Sequence, residues 1–293
     1  MAADKLMLAV DIGGTHVTAA LIDMDTRMLI APSQVRRVVD AAAGAGAIIE
    51  TWSRCIRAAQ AEAVVTGICL AMPGPFDYDN GISLMKGQGK YEALYRLNIK
   101  ALLAQQLATA PARFFIRNDA ACFLQGEVFA GVLGGVEKAA GVTLGTGLGT
   151  AFYEGGHAQS ADLWSLPFGE GIAEDYLSTR WFVERFVALS GQRLNGVKEI
   201  AARLNTDERV MQLFREFGRN LGAFLCRFVE IKNADAVVIG GNIALAYAWF
   251  EAEVTAVVHR RHPSVRIYCS ALGEAATLYG AASGGYQALL GVR

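Results

Sequence analysis

Four short stretches of the chain hold the residues that could do chemistry. Asp11-Ile12-Gly13-Gly14-Thr15 follows the apolar run 6–10, and Leu144-Gly145-Thr146-Gly147-Leu148-Gly149-Thr150 follows a second apolar run. Glycine lets backbone N–H groups approach an oxygen closely, and threonine adds a hydroxyl donor, so two such turns can wrap a polyphosphate. Asp11, at the mouth of the first turn, is placed to hold a hydrated Mg2+. Each turn alone also reads as a reversal that needs glycine; two turns of one layout favour phosphate. Neither is a P-loop, because no G-x-x-x-x-G-K-[ST] occurs, and no G-x-G-x-x-G opens a helix after a strand. Arg117-Asn118-Asp119 closes a short apolar strand. An acid at a strand's C-terminal end commonly faces a cleft, while Asn and Asp also cap helices well. One of the pair can cap while the other reaches a substrate. Gly240-Gly241-Asn242 ends a strand before a helix. There the backbone either lies flat against a base or ribose, or makes a tight strand-to-helix turn.

The elements that must position these stretches follow from periodicity. Strands are expected at 6–13, 15–24 and 28–38, with 25–27 as a link, forming an antiparallel meander. Ile48, Ile49, Trp52, Cys55 and Ile56 recur at helical spacing and predict a helix over 45–60. A strand over 64–72 ends at Pro73-Gly74-Pro75, and 77–81 is turn chemistry. Helix 99–109, strand 112–117, helix 120–133 and a strand–turn–strand over 139–153 come next, and 154–170 lacks a period and reads as loop. Helices follow at 171–190, 196–203 and 207–231, the last burying Phe214, Phe217, Leu221, Leu225 and Phe228 on one face. A strand at 236–239, a helix, a strand at 264–269 and a Gly/Ala-rich helix at 273–290 complete the chain; small residues in that helix allow close packing. Residues 9–21 and 141–153 share one layout, which suggests an internal duplication.

Composition excludes several classes. With 293 residues, 53% hydrophobic and 19% charged, the chain has material for a substantial core in two modest domains or one large one. It does not read as disordered. A net charge of −1 without a basic block argues against nucleic acid. The five cysteines are scattered and lack a C-x-x-C pair, so they read as buried hydrophobes rather than disulfides or a cysteine-rich zinc site. No signal-peptide h-region or membrane-length apolar run occurs, and a cytoplasmic protein is expected.

As an ordered set, D-I-G-G-T (11–15), A-M-P-G-P (71–75), R-N-D-A (117–120) with Gly126-Glu127, L-G-T-G-L-G-T (144–150) and V-V-I-G-G-N-I (237–243) resemble the ROK family of sugar kinases and sugar-responsive repressors. The resemblance implies an α/β chain with a two-domain actin/hexokinase-like (ribonuclease H-like) ATPase fold, its duplicated mixed sheets around a central cleft. A smaller domain over 1–117 and a larger one over 118–280 are expected, with the end of the chain, 281–293, packing back on the first. The implied activity is ATP-dependent phosphorylation of a primary hydroxyl on a hexose or N-acetylhexosamine, with ATP and Mg2+ as cofactors. Asp119 then resembles the general base and Asn118 a sugar ligand, with Gly74 also at the substrate. Gly13, Gly14 and Thr15 resemble one phosphate site, and Gly145, Thr146 and Gly147 the other. Gly241 and Asn242 fall at the adenosine site, and Asp11 holds Mg2+ through water. Sugar and ATP are the expected partners, without nucleic acid or membrane, in a homodimer. Two alternatives are a sugar-binding regulator and a catalytically silent homologue. Repressors of the family carry a winged helix-turn-helix ahead of this part, and with D-I-G-G-T at residue 11 none is expected.

The chain departs from the family in two places. Most members carry a zinc site built from a histidine and a C-x-C-G-x-x-G-C run. Here 155–178 has no cysteine and one histidine, His157, so no zinc is expected and His157 reads as a loop residue. In the same region Asp162 and Ser165 stand where the family has a sugar-binding glutamate and histidine, and Glu174 stands at a further sugar-binding acid. After the proline turn, Gln88, Lys90 and Tyr91 are candidates to line the cleft. Lys86 and Lys90 are either solvated or placed to meet phosphate or an acidic sugar.

Overall fold

The computed structural model describes residues 5–87 and 89–291. In chain order the strands of the first stretch are β1 (Leu6–Ile12), β2 (His16–Asp23), β3 (Met28–Leu29), β4 (Val35–Val38), β5 (Gly67–Met72), β6 (Phe76–Asp77), β7 (Ile82–Ser83) and β8 (Phe114–Asn118). Helices α1 (Ala45–Gln60), α2 (Ile99–Gln106) and α3 (Asp119–Phe129) lie among and after them. Then come β9 (Ala139–Leu144), β10 (Leu148–Glu154), β11 (His157–Ser160), β12 (Pro167–Phe168) and β13 (Gly171–Ile172). Helices α4 (Ala173–Tyr176), α5 (Thr179–Ser190), α6 (Val197–Ala201) and α7 (Glu208–Lys232) precede β14 (Ala236–Gly240). The chain closes with α8 (Glu251–Arg261), β15 (Arg266–Cys269) and α9 (Ala275–Leu289). Among the described residues no helix is long and apolar enough to cross a membrane.

The first compact unit takes the chain up to Gly131 and again from Glu274 onward. Its sheet runs β3-β2-β1-β5-β8, with β4 also on β2. The β1–β2 pair is antiparallel, whereas β1–β5 and β5–β8 are parallel. Side chains alternate across a strand, and β1 is buried on both faces. Leu8, Val10 and Ile12 join the core around Trp52 and Ile56 of α1, while Met7 and Ala9 join the core of Cys122, Leu278 and Ala281. Asp11 continues the second set, so the period that buries Met7 and Ala9 directs its carboxylate to the α3/α9 side. These two helices touch backbone to backbone: a Cβ on Gly280 would stand 1.7 Å from the Cys122 carbonyl oxygen, and one on Gly126 1.9 Å from that of Ala276. The small residues of the last helix do allow close packing.

The second unit, Val132–Gly273, has the sheet order β11-β10-β9-β14-β15. The β9–β10 pair is antiparallel, and β9–β14 and β14–β15 are parallel. The series β10-β9-β14-β15 therefore repeats β2-β1-β5-β8, and the duplication hinted at by two short segments extends to whole mixed sheets. Phe214, Phe217, Leu221, Leu225 and Phe228 of α7 are fully buried, as their spacing predicts.

Four expectations change. The single strand over 28–38 is broken into β3 and β4 by a 3-10 turn at Ala31–Ser33, where Pro32 lacks the N–H a ladder needs. The loop over 154–170 contains β11, which pairs with β10 as the sheet edge, so His157 is a strand residue opposite Glu154. The helix over 171–190 is two helices, α4 and α5. The boundary falls after Gly131 rather than after 117, because α3 is packed on α9. All of α9, not only its part beyond 281, belongs to the first unit, and residues 292 and 293 lie outside the described residues.

Candidate active site

In the first unit, three residues connect β1 to β2. The Gly13 N–H closes the turn on the His16 carbonyl at 2.9 Å, and the Val39 N–H donates to the Thr15 carbonyl at 2.9 Å. Beneath the turn sits Tyr91, wholly buried and packed edge-on to Trp52 with ring centroids 5.3 Å apart. Its hydroxyl donates to the Gly13 carbonyl at 2.5 Å, and its N–H donates to the Ala41 carbonyl at 2.7 Å. Tyr91 thus supports the turn from below. Gly14 and Thr15 are exposed, and neither N–H meets a protein acceptor among the described residues. A Cβ on Gly14 would meet only the Lys90 Cδ, at 3.8 Å.

Asp11 lies in a cross-strand row. It pairs with Thr18, which pairs with Arg36; on the other side it pairs with Ala71, which pairs with Arg117. Burial pushes its carboxyl up to about 7, and the charges of Asp119 and Glu274 act in the same direction, against a smaller pull from Arg36. Arg36 itself is paired with Glu274 at 2.5 Å.

Asp119 is the first residue of α3. Burial raises its pKa, opposed by the Ala120 N–H, which donates to its carboxylate at 2.8 Å, and by the Lys90 ammonium. Asn118 caps the helix by accepting from the Ala121 N–H at 3.0 Å. Its amide nitrogen donates to the Tyr78 hydroxyl at 3.1 Å, and that hydroxyl donates to the Met72 carbonyl at 3.0 Å. A Cβ on Gly74 would stand 3.4 Å from the same hydroxyl. Gly74 and Asn118 are therefore brought together through Tyr78, and Asp11, Asp119 and Lys90 gather at the first turn.

In the second unit, three residues also connect the hairpin strands. The Gly145 N–H donates to the Gly147 carbonyl at 3.1 Å. The Gly145 carbonyl accepts from both the N–H and the hydroxyl of Thr179, at 2.8 and 2.9 Å. Glu174 accepts the Leu148 N–H at 2.9 Å, so this carboxylate braces the second turn. Gly241 has φ 86, and a Cβ there would stand 2.5 Å from the Leu144 carbonyl oxygen. Only glycine fits, and Asn242, exposed at the start of a 3-10 helix, is fixed beside the turn. Asp162 is exposed and accepts from the Ser160 hydroxyl at 2.7 Å, between Ala161 and Leu163, whose N–H groups donate to the Thr150 carbonyl and hydroxyl at 2.9 and 3.0 Å. A cavity of about 490 Å³ among α7, α8 and the β12–β13 hairpin is lined by residues such as Phe168, Cys226 and Arg260, and by no glycine-turn residue. Among the described residues no three His, Cys, Asp or Glu side chains gather as a metal cluster.

Sequence reasoning missed Tyr78 and Thr179 and misread Tyr91. Tyr78 lies within a stretch read only as a turn. Tyr91 is a buried support, not a lining residue, and its full burial is invisible to a local pattern. Gln88 lies outside the described residues.

Comparison with known proteins adds the lineage. A profile of the ROK family matches residues 7–161. The ROK hexokinase from Thermus thermophilus is 21% identical, with 98% of this chain and 99% of that one covered, at a TM-score of 0.81. A ROK family glucokinase from Streptomyces griseus, solved with glucose and AMPPNP, is 21% identical over 96% and 99% of the two chains, at 0.78. A ROK family transcriptional regulator, a homologue of the E. coli Mlc protein, is 17% identical over 99% of this chain and 80% of that one, at 0.79. These likenesses establish the fold, an α/β architecture with mixed sheets of the hexokinase-like kind.

Proposed function

The chain belongs to the ROK family, and from that premise we propose that it is a cytoplasmic, ATP-dependent kinase of a hexose or N-acetylhexosamine. One observation carries the reading: two carboxylates, Asp11 and Asp119, gather beside an exposed glycine turn whose Gly14 and Thr15 N–H groups meet no protein acceptor among the described residues. The residues fit Mg-ATP. Taken each by itself, the first turn has the N–H groups of Gly14 and Thr15, and the second those of Thr146 and Gly147, of the kind phosphate oxygens need, while the Gly13 and Gly145 N–H groups close the turns. A buried carboxyl pushed up to about 7 by desolvation and like charge, as Asp11 is, gains from a cation. Gly241 and Asn242 would take the adenosine end. When bound, Mg-ATP supplies the phosphoryl group and part of the charge that neutralises it.

The chain's own residues do the rest. Asp119 accepts the proton of the primary hydroxyl, and Asn118 and the Gly74 backbone orient the sugar. Phosphoryl transfer asks mainly for positioning and charge neutralisation, with a carboxylate to orient the nucleophile. Glu174 acts through the second turn that it braces, and the exposed Asp162 is left as an outer contact to the sugar.

The test is a coupled ADP-release assay with Mg-ATP against hexoses and N-acetylhexosamines, wild type beside Asp119→Asn. Turnover on one sugar that falls about 10²–10⁴-fold in the variant supports the kinase and its base. Turnover that survives the substitution removes Asp119 from that role. Silence across the panel, with a sugar still raising Tm, favours a sugar-binding regulator; one of the fold's neighbours is named as a transcriptional regulator.

A further inference from the structure

Lys90 has no role in the reading so far. The segment that carries it runs between two wholly buried residues, Met85 and Tyr91. At one end the Leu84 N–H donates to the Pro75 carbonyl at 3.1 Å. At the other, Tyr91 is fastened to the Gly13 and Ala41 carbonyls. Because the Tyr91 ring passes under the glycine turn, the residue before it is set at the turn's side. The Lys90 stem therefore runs along Gly14, its Cδ 3.8 Å from where a Cβ would stand. Its ammonium acts on the Asp119 carboxylate.

Arg36 is paired with Glu274, and the Arg117 side chain is packed against Gly284 of α9, its Cδ 2.9 Å from where a Cβ would stand. Lys86, by contrast, is exposed, its ammonium over the Tyr95 ring. Among the described residues Lys90 makes no ion pair. It stands beside both the turn that would hold phosphate and the carboxylate that would take the hydroxyl proton.

We propose that Lys90 is a catalytic residue that binds the phosphoryl group while it passes to the sugar. The inference rests on the kinase reading above. In the step, the sugar oxygen bonds to phosphorus as the bond from phosphorus to the ADP oxygen breaks, and the hydroxyl proton goes to Asp119. Negative charge spreads over the equatorial oxygens of the group in flight. An ammonium held beside them on an anchored stem stabilises that state more than the bound substrates.

The test measures kcat, both KM values and Mg-ATP affinity by calorimetry for wild type, Lys90→Met and Lys90→Arg, on the sugar that the panel identifies. The expected result is a kcat at least about a hundredfold lower in Lys90→Met. Both KM values and the Mg-ATP affinity stay within about threefold, and Lys90→Arg recovers at least about tenfold of the loss. A second readout uses Mg-ADP with aluminium fluoride and the sugar, a mimic of the group in flight. Its extra rise in Tm over Mg-ADP and sugar alone is present in wild type and lost in Lys90→Met. A kcat unchanged in Lys90→Met, or a loss that sits in KM alone, overturns the inference and leaves the kinase standing. A wild type without turnover removes the kinase reading and this inference with it.

Discussion

The two glycine turns have the same length and the same place in matching sheets, yet they are held by opposite chemistry. At the first, a buried donor from far along the chain, the Tyr91 hydroxyl, takes the Gly13 carbonyl. At the second, Thr179 gives the Gly145 carbonyl two donors, and Glu174 supplies an acceptor for the Leu148 N–H. In both, backbone bonds close the turn and a side chain from elsewhere in the chain takes one of its remaining backbone groups. The difference lies in redundancy and charge. The Gly13 carbonyl has one hydroxyl donor in a turn that stands among carboxylates, whereas the Gly145 carbonyl has two donors in a turn that uses a carboxylate as a brace. Two turns of common layout can thus keep the same place in matching sheets with unrelated supports.

Substitutions can break or sharpen that contrast. The largest effect is expected at Gly241→Ala, where positive φ and the 2.5 Å approach to the Leu144 carbonyl leave no room. A loss of about 3 kcal/mol or more in chemical denaturation is expected. Gly14→Ala, in open space at the other turn, should shift stability by no more than about 0.5 kcal/mol while weakening Mg-ATP binding.

Next comes the charge at the first turn. Asp11 titrates at about 7 in the fold against an ordinary value of 3.8. A raised carboxyl pKa means that the folded state holds its proton longer, so stability from this group falls as pH rises from about 4 to about 7. In ligand-free protein, Asp11→Asn should therefore unfold about 2 kcal/mol harder than wild type at pH 8, with the gap closing towards pH 4. A gap that widens towards acid would reverse the sign and remove desolvation as the cause.

Smaller still is the test of redundancy. Tyr91→Phe leaves the Gly13 carbonyl without its donor and should lose about 1–2 kcal/mol. Thr179→Val keeps the backbone N–H on Gly145 and should lose about 0.5–1 kcal/mol. Equal losses in the two variants would show that the second donor is idle.

Much of this was legible in the sequence because it is local. Strand β1 and its turn follow from an apolar run meeting glycines, α1 from its period, and the Asn118 cap from residue type at a strand end. What was missed depends on distant partners. Tyr91 lies 78 residues from Gly13, and Glu174 lies 26 from Leu148, a separation that hides which backbone group each serves. Strand β11 has no apolar period because it is a sheet edge with one side open, and so it read as loop. The domain boundary was misplaced because nothing near residue 117 announces that α3 will find its partner in the last helix.

That helix pairing has a consequence for how the protein is made. The first unit is built from two separated pieces of chain, and the second is continuous. On a ribosome, every residue of the second unit is synthesised before α9 exists. The helix that begins with Asp119 is therefore without its glycine-to-glycine partner until the last twenty or so residues emerge. Long-range pairings of this kind form late and slowly. The unit that starts first is completed last, and the helix that carries Asp119 gains its partner only at the end of synthesis.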